Sequence, residues 1–247
     1  MEFLMKKYFP TVLFFPIIFV FFTISVKVVD VQPVGPLGSE IGWASLNYPV
    51  NAFFAEHPFW GGQHFWYTLT NVFGIVAILT AAAFACLGFV QLIRRRSLFK
   101  VDREIIMLGV VYAITILLYV LFEKIAINFR PVLDDGNLEA SFPSTHTMIV
   151  LCIMGTAFTA LRKYVADKRL LSCARVICVA VMGLTVIGRL VCGVHWLTDI
   201  MGGILISLSI IVYYKVAVAN VASQECNERG SAGNAPARND SNQGKKD

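Results

Sequence analysis

Six stretches of this chain stay apolar for about as long as a bilayer is thick, and nothing else in the sequence constrains its fold so strongly. A helix rising 1.5 Å per residue crosses the hydrocarbon core in about 20 residues. The runs are 8–26, 67–93, 105–122, 147–161, 176–188 and 196–218. The fourth and fifth are short, so their helices are expected to extend into the polar flanks. Composition agrees: the 247 residues are 57% hydrophobic and 15% charged, with a mean hydropathy of +0.67, whereas soluble domains are about 45 to 50% apolar. The fold class expected is all-α, a polytopic membrane protein with six transmembrane helices in one domain over residues 1–220. A polar tail rich in Gly, Asn and Ser follows over 221–247 and is expected to be disordered and cytoplasmic.

The first run follows Lys6 and Lys7, as a signal peptide would, but it is long and no A-x-A-like site follows it. An uncleaved anchor is expected. The six cysteines contain no C-x-x-C pair and read as free, mostly buried thiols, with neither a disulfide framework nor a zinc site suggested.

Orientation follows Lys and Arg in the short loops. Of the 21 basic residues, 17 fall before the first run, between the second and third, between the fourth and fifth, or from the last turn of the sixth (Lys215) onward. That side is taken as cytoplasmic, with both termini on it. The opposite side holds Lys27, Lys124, Arg130 and Arg189. It also holds the segment 28–66, rich in Pro, Gly and aromatics, expected to be an interfacial loop with one short amphipathic piece. Trp43, Phe53, Phe54, Trp60, Phe65 and Trp66 would anchor it at the headgroups, and His57 and His64 read as loop residues there.

Chemically capable residues on that side form three clusters. "KIAINFRP" (124–131) ends the third run, "SFPSTHT" (141–147) opens the fourth, and "GRLVCGVHWLTD" (188–199) joins the fifth to the sixth. A charge at the bilayer centre costs roughly 2.5 to 3.5 kcal/mol, so such residues lie at another depth or serve a function. Asp199, four residues after His195, is placed to hold one imidazole nitrogen and leave the other basic, as a nucleophilic histidine requires. Ser144, Thr145 and His146 fall at a helix start, where free backbone N–H groups attract an anion. Read singly, each has an ordinary explanation: Ser144 as an N-cap, Arg189 as a snorkelling helix end, the His–Asp pair as chance. Together, on the side that otherwise lacks cations, they outline a phosphate pocket.

The three clusters resemble the type 2 phosphatidic acid phosphatase superfamily, in its membrane lipid phosphatase branch. Its pattern is K-x6-R-P, P-S-G-H and S-R-x5-H-x3-D. Here stand Lys124-x5-Arg130-Pro131, Pro143-Ser144-Thr145-His146 and Gly188-Arg189-x5-His195-x3-Asp199. The first motif is one residue shorter, Thr145 replaces glycine, and Gly188 replaces serine. The resemblance covers residues 65–215 and implies the superfamily's helical bundle and a lipid phosphate phosphatase of the cell envelope. It implies that His195 attacks phosphorus to form a phosphohistidine, that Asp199 orients the ring, and that His146 protonates the leaving oxygen and then activates water. Lys124, Arg130, Ser144, Thr145 and Arg189 would bind the phosphate, and no metal or other cofactor would be needed. The substrate would be a lipid phosphate or diphosphate of the outer leaflet: undecaprenyl diphosphate, phosphatidic acid or phosphatidylglycerol phosphate. The bilayer and that lipid are the partners expected, with no nucleic acid. A lipid phosphotransferase and a non-catalytic protein that binds or transports anionic lipid are the competing readings of the same residues.

Overall fold

The computed structural model describes residues 2–57 and 59–233. Among them are seven α-helices: α1 Glu2–Val28, α2 Ala44–Glu56, α3 Gly62–Arg95, α4 Arg103–Lys124, α5 Thr145–Tyr164, α6 Lys168–Val191 and α7 Leu197–Gly233. All except α2 are long and apolar enough to cross a membrane. As expected, α5 and α6 extend beyond their short apolar runs into the flanking polar residues.

The six spans are unequally apolar, and the inequality predicts their placement. A helix facing lipid must be apolar all round, whereas one packed among other helices can carry small and polar residues. The least apolar span, α5, is the most buried. It packs against α3, α4, α6 and α7, and its Val150, Ile153, Met154 and Ala157 meet Ala77, Leu108, Val181 and Tyr214 in the main core. Helix α1 stands outside this group and lies along α7.

The last helix passes the boundary expected at 220. No Gly or Pro interrupts residues 204–229, so no stop signal is met and α7 continues to Gly233. Residues 221–233 thus continue the helix, and the remainder of the expected tail, 234–247, lies outside the described residues. Of the cysteines, Cys152, Cys178 and Cys192 are buried, while Cys86 and Cys173 are exposed.

The segment between α1 and α3 is more than an interfacial loop. It contains a short 3-10 turn at Pro36–Gly38, the bridge pair Gln32 and Ile41, and α2. Helix α2 is the short piece expected, but it packs on α6 and α7 and buries Asn47 completely. Trp66 is buried as well, in a cluster with Val191 and Cys192 against which Phe54 packs. It thus holds helices together, while Phe53, Trp60 and Phe65 remain exposed. His57 and His64 are both exposed, but only His57, just past α2, lies in a loop as expected: His64 sits in the first turn of α3.

Because the spans alternate in direction, the starts of α3, α5 and α7 share one end of the bundle with the ends of α1, α4 and α6. The opposite end carries the Lys- and Arg-rich connections. There the Asp102 carboxylate accepts from Arg95 Nη1 (2.8 Å), Gln91 Nε2 (2.9 Å) and Tyr164 Oη (3.2 Å). Burial alone would raise its pKa, but these partners, with Lys163, outweigh it and hold the group below the usual carboxylate range.

Candidate active site

The three sequence clusters meet at the first of these ends, joined by direct bonds. Ser144 caps α5: its Oγ accepts from the Thr147 N–H (3.4 Å) and lies 2.9 Å from Thr147 Oγ1. Its own N–H donates to the Asp199 carbonyl (2.9 Å), tying the start of α5 to the first turn of α7. Trp196 Nε1 donates to the Phe129 carbonyl (2.7 Å), which ties the loop after α4 to the same turn. Gly202 and Gly203 allow α7 to cross this close, since a Cβ at Gly203 would lie 3.0 Å from the Ser144 carbonyl oxygen.

His195 and Asp199 do not share a helical face, as their spacing suggested. His195 lies in the turn before α7, and Asp199 is the third residue of the helix. The carboxylate folds back over the helix start, where Oδ2 accepts from the Trp196 N–H at 2.8 Å. The same oxygen is 3.6 Å from His195 Nδ1, an ion-pair distance too long for a hydrogen bond. The His195 ring is 4% exposed. Burial, opposed by Asp199 and reinforced by Arg130 and Arg189, holds its pKa below the ordinary histidine value, so the resting ring is neutral at pH 7.

His146, at the start of α5, reaches α3. Its Nε2 is 2.7 Å from the Thr70 carbonyl, which can only accept, so that nitrogen carries the proton and Nδ1 holds the lone pair in the neutral ring. Gly74 makes the approach possible, since a Cβ there would lie 2.7 Å from His146 Cε1. Gly188 serves α6 in the same way: its Cβ would lie 2.5 Å from Thr70 Cγ2 and 3.0 Å from the Trp66 ring. The glycine that departs from the family pattern is thus what lets α6 seat against α3.

Arg189 is 6% exposed and has no ion pair among the described residues. Its Nη2 donates to Asn71 Oδ1 (3.1 Å) and its guanidinium lies 5.3 Å from the Tyr67 ring centroid. Both partners are neutral, so the positive charge is held in place without being cancelled. It lies within electrostatic reach of both His146 and His195. Arg130 also reaches His195, and its Nη1 pairs with Glu139 Oε2 at 3.2 Å. Thr145 is half-buried beside His146. Lys124 is not drawn in: it is exposed at the end of α4, with no hydrogen bond or ion pair to a described residue.

Unsatisfied polarity concentrates here. Ten buried side-chain polar atoms lack a partner among the described residues, and six of them belong to the three clusters: Asn128 Nδ2, Arg130 Nε, Ser141 Oγ, Arg189 Nε, His195 Nδ1 and Asp199 Oδ1. Each such group costs about 1 to 3 kcal/mol, a cost that folded proteins tolerate at functional sites. With the guanidiniums of Arg130 and Arg189 and the imidazoles of His146 and His195 in the three clusters, the arrangement suits a tetrahedral oxyanion.

Several supporting residues were not found from the sequence. Asn47 of α2 caps α7: its Oδ1 accepts from the Thr198 N–H (3.1 Å), while its Nδ2 donates to Thr198 Oγ1 and to the Gly42 carbonyl, both at 2.8 Å. Asn128 Oδ1 accepts from the Gly42 N–H (3.1 Å). Thr70 and Asn71 were visible as polar residues inside an apolar run, whereas Asn47 and Asn128 sit among loop residues that look much like them.

Residues 62–222 match a family model described as the PAP2 superfamily. No curated protein matches the chain. Among solved structures, the fold is similar to the crystal structure of the first transmembrane PAP2 type phosphatidylglycerolphosphate phosphatase from Bacillus subtilis. The TM-score is 0.58 at 16% sequence identity, covering 83% of this chain and 94% of that one.

Proposed function

The chain belongs to the PAP2 superfamily, and on that premise we propose that it hydrolyses a membrane lipid phosphate or diphosphate at the outer face of the cell membrane, through a phosphohistidine. The observation that carries this reading is Arg189, a buried cation held only by neutral groups and set beside two histidines. Burying a charge without a counter-ion is costly unless an anion arrives to meet it.

His195 is the nucleophile. With Nδ1 turned to Asp199, Nε2 attacks phosphorus, the P–N bond forms, and the bond to the lipid oxygen breaks in line. Asp199 stabilises the imidazolium that results. His146 in its protonated form gives its proton to the leaving oxygen, then takes one from the water that breaks the P–N bond and releases phosphate. Arg130, Arg189 and the backbone at Thr145 hold the equatorial oxygens, whose charge must be stabilised as the transition state forms. Lys124 would join them by swinging inward, and Ser144 supports the site chiefly by capping α5. The guanidiniums supply the positive charge, so no step calls on a metal ion.

Undecaprenyl diphosphate, phosphatidic acid and phosphatidylglycerol phosphate share the required head, and the name of the similar Bacillus subtilis protein favours the last. The test is phosphate release by the purified chain from a panel of these lipids. Release is expected from at least one of them, and undiminished release by a well-purified His195→Ala variant would end the proposal.

A further inference from the structure

At the end of the bundle away from the histidines, three crevices meet around Phe158, twelve residues and about 18 Å along α5 from His146. One, of about 620 Å³, is lined by Arg162, Lys163, Arg175 and Lys215, with one carboxylate, that of Glu104, among them. The next, of about 610 Å³, runs between α5, α6 and α7. Apart from Lys215, which both share, its lining is apolar.

The cations are not all at the helix ends, where snorkelling would account for them. Arg175 lies seven residues inside α6, about 10 Å from its start, and Lys215 lies eight residues before the end of its span at Ser223. Arg175 is docked inward: its Nε donates to the Phe158 carbonyl (3.2 Å), and its guanidinium stacks on the Phe158 ring at 4.8 Å. Of the four, Lys163 is neutralised by Glu104 at 2.5 Å. Arg162, Arg175 and Lys215 have no ion pair among the described residues.

We propose that this crevice is a second lipid site, which binds an anionic phospholipid of the surrounding bilayer without turning it over. The head phosphate lies among Arg162, Arg175 and Lys215, and one acyl chain lies in the apolar slot between α5, α6 and α7. The joined shape selects the occupant: a cationic cup alone would take any anion, but one that opens into an apolar slot matches an amphiphile. Anionic lipid headgroups are attracted to clustered Lys and Arg by about 1 kcal/mol per residue. No histidine lines these crevices, so the phosphohistidine route proposed above is closed to the bound lipid.

The experiment measures binding of dioleoylphosphatidylserine and dioleoylphosphatidylcholine to the full chain in detergent micelles. Phosphatidylserine is expected to bind at least fivefold more tightly. Arg175→Gln combined with Lys215→Gln should bring the two within twofold, while Arg189→Gln, at the other end, should leave the preference intact. Gly183→Leu tests the slot separately, because a Cβ at Gly183 has nothing within 4 Å and the side chain fills open space. It should weaken both lipids at least threefold. An unchanged preference in the double variant, its loss in Arg189→Gln, or equal competition by inorganic phosphate would overturn the site. If the double variant does not fold, unaltered lipid affinity in Gly183→Leu does so.

Discussion

Asp199 holds the backbone N–H of Trp196 at 2.8 Å and stands 3.6 Å from the ring of His195, so one carboxylate oxygen both caps a helix and faces the proposed nucleophile. The two duties can be separated. Asp199→Asn keeps an oxygen for Trp196 but removes the charge, and its phosphate release is expected to fall by about 10²-fold with the melting temperature nearly unchanged. Asp199→Ala should lose the cap as well, about 1 kcal/mol of stability. Equal activity of wild type and Asp199→Asn would remove Asp199 from the mechanism.

In the proposed mechanism the depressed pKa of His195 sets the acid limb of the rate profile. The ring attacks only when neutral, and protonation in the folded state occurs below its unfolded value of about 6.5. Activity in kcat/KM should therefore persist below pH 6.5. The linked stability has the matching sign: the unfolded chain takes up the proton first, so stability falls as pH drops from about 6.5 toward the folded pKa, and no loss arises above it. Arg130→Gln removes one of the depressing charges and should move the acid limb upward; a limb that stays put would exclude Arg130 from the surroundings of the ring.

Arg189→Lys is expected to lower kcat/KM by about 10² to 10³, although charge is retained, because an ammonium cannot keep both the Asn71 bond and the stack on Tyr67. Asn71→Leu should produce a smaller loss, about tenfold, by loosening the guanidinium. Steady-state kinetics on both variants check the order, and a harmless Arg189→Lys would mean that only charge matters there.

Gly188→Ser restores the residue of the family pattern yet should destabilise this chain by about 1 to 3 kcal/mol, since the new Cβ meets Thr70 and Trp66. Adding Thr70→Ser removes the Cγ2 that lies 2.5 Å away and should recover part of the loss. Thermal unfolding of the single and double variants measures the coupling, and additive losses would show that the two sites do not touch.

Chelation supplies the last test. Phosphate release in excess EDTA should match that in its absence. A fall restored by added divalent cation would overturn the proposed division of labour, in which Arg130 and Arg189 carry the positive charge.

The number of spans and their order were legible because apolar length is a local property, read without knowing any neighbour. The meeting of the three clusters was legible through charge: Arg130 and Arg189 stand out on a side whose other cations are only Lys27 and Lys124. The true relation of His195 to Asp199 was hidden, since a spacing of four suggests one helical face until the helix is known to begin at Leu197. Asn47 was hidden for another reason. Its partner lies 151 residues away, and no local pattern distinguishes a capping asparagine from a solvated one. The role of Gly188 emerged only from the space between α3 and α6.

That long reach from Asn47 to Thr198 bears on how the molecule is completed during synthesis. A nascent chain that stops short of its final span carries a side-chain amide with no Thr198 to receive it, so an unfinished copy differs chemically from a finished one beside the place where α7 begins. Insertion of the last helix thereby becomes the step that readies everything translated before it.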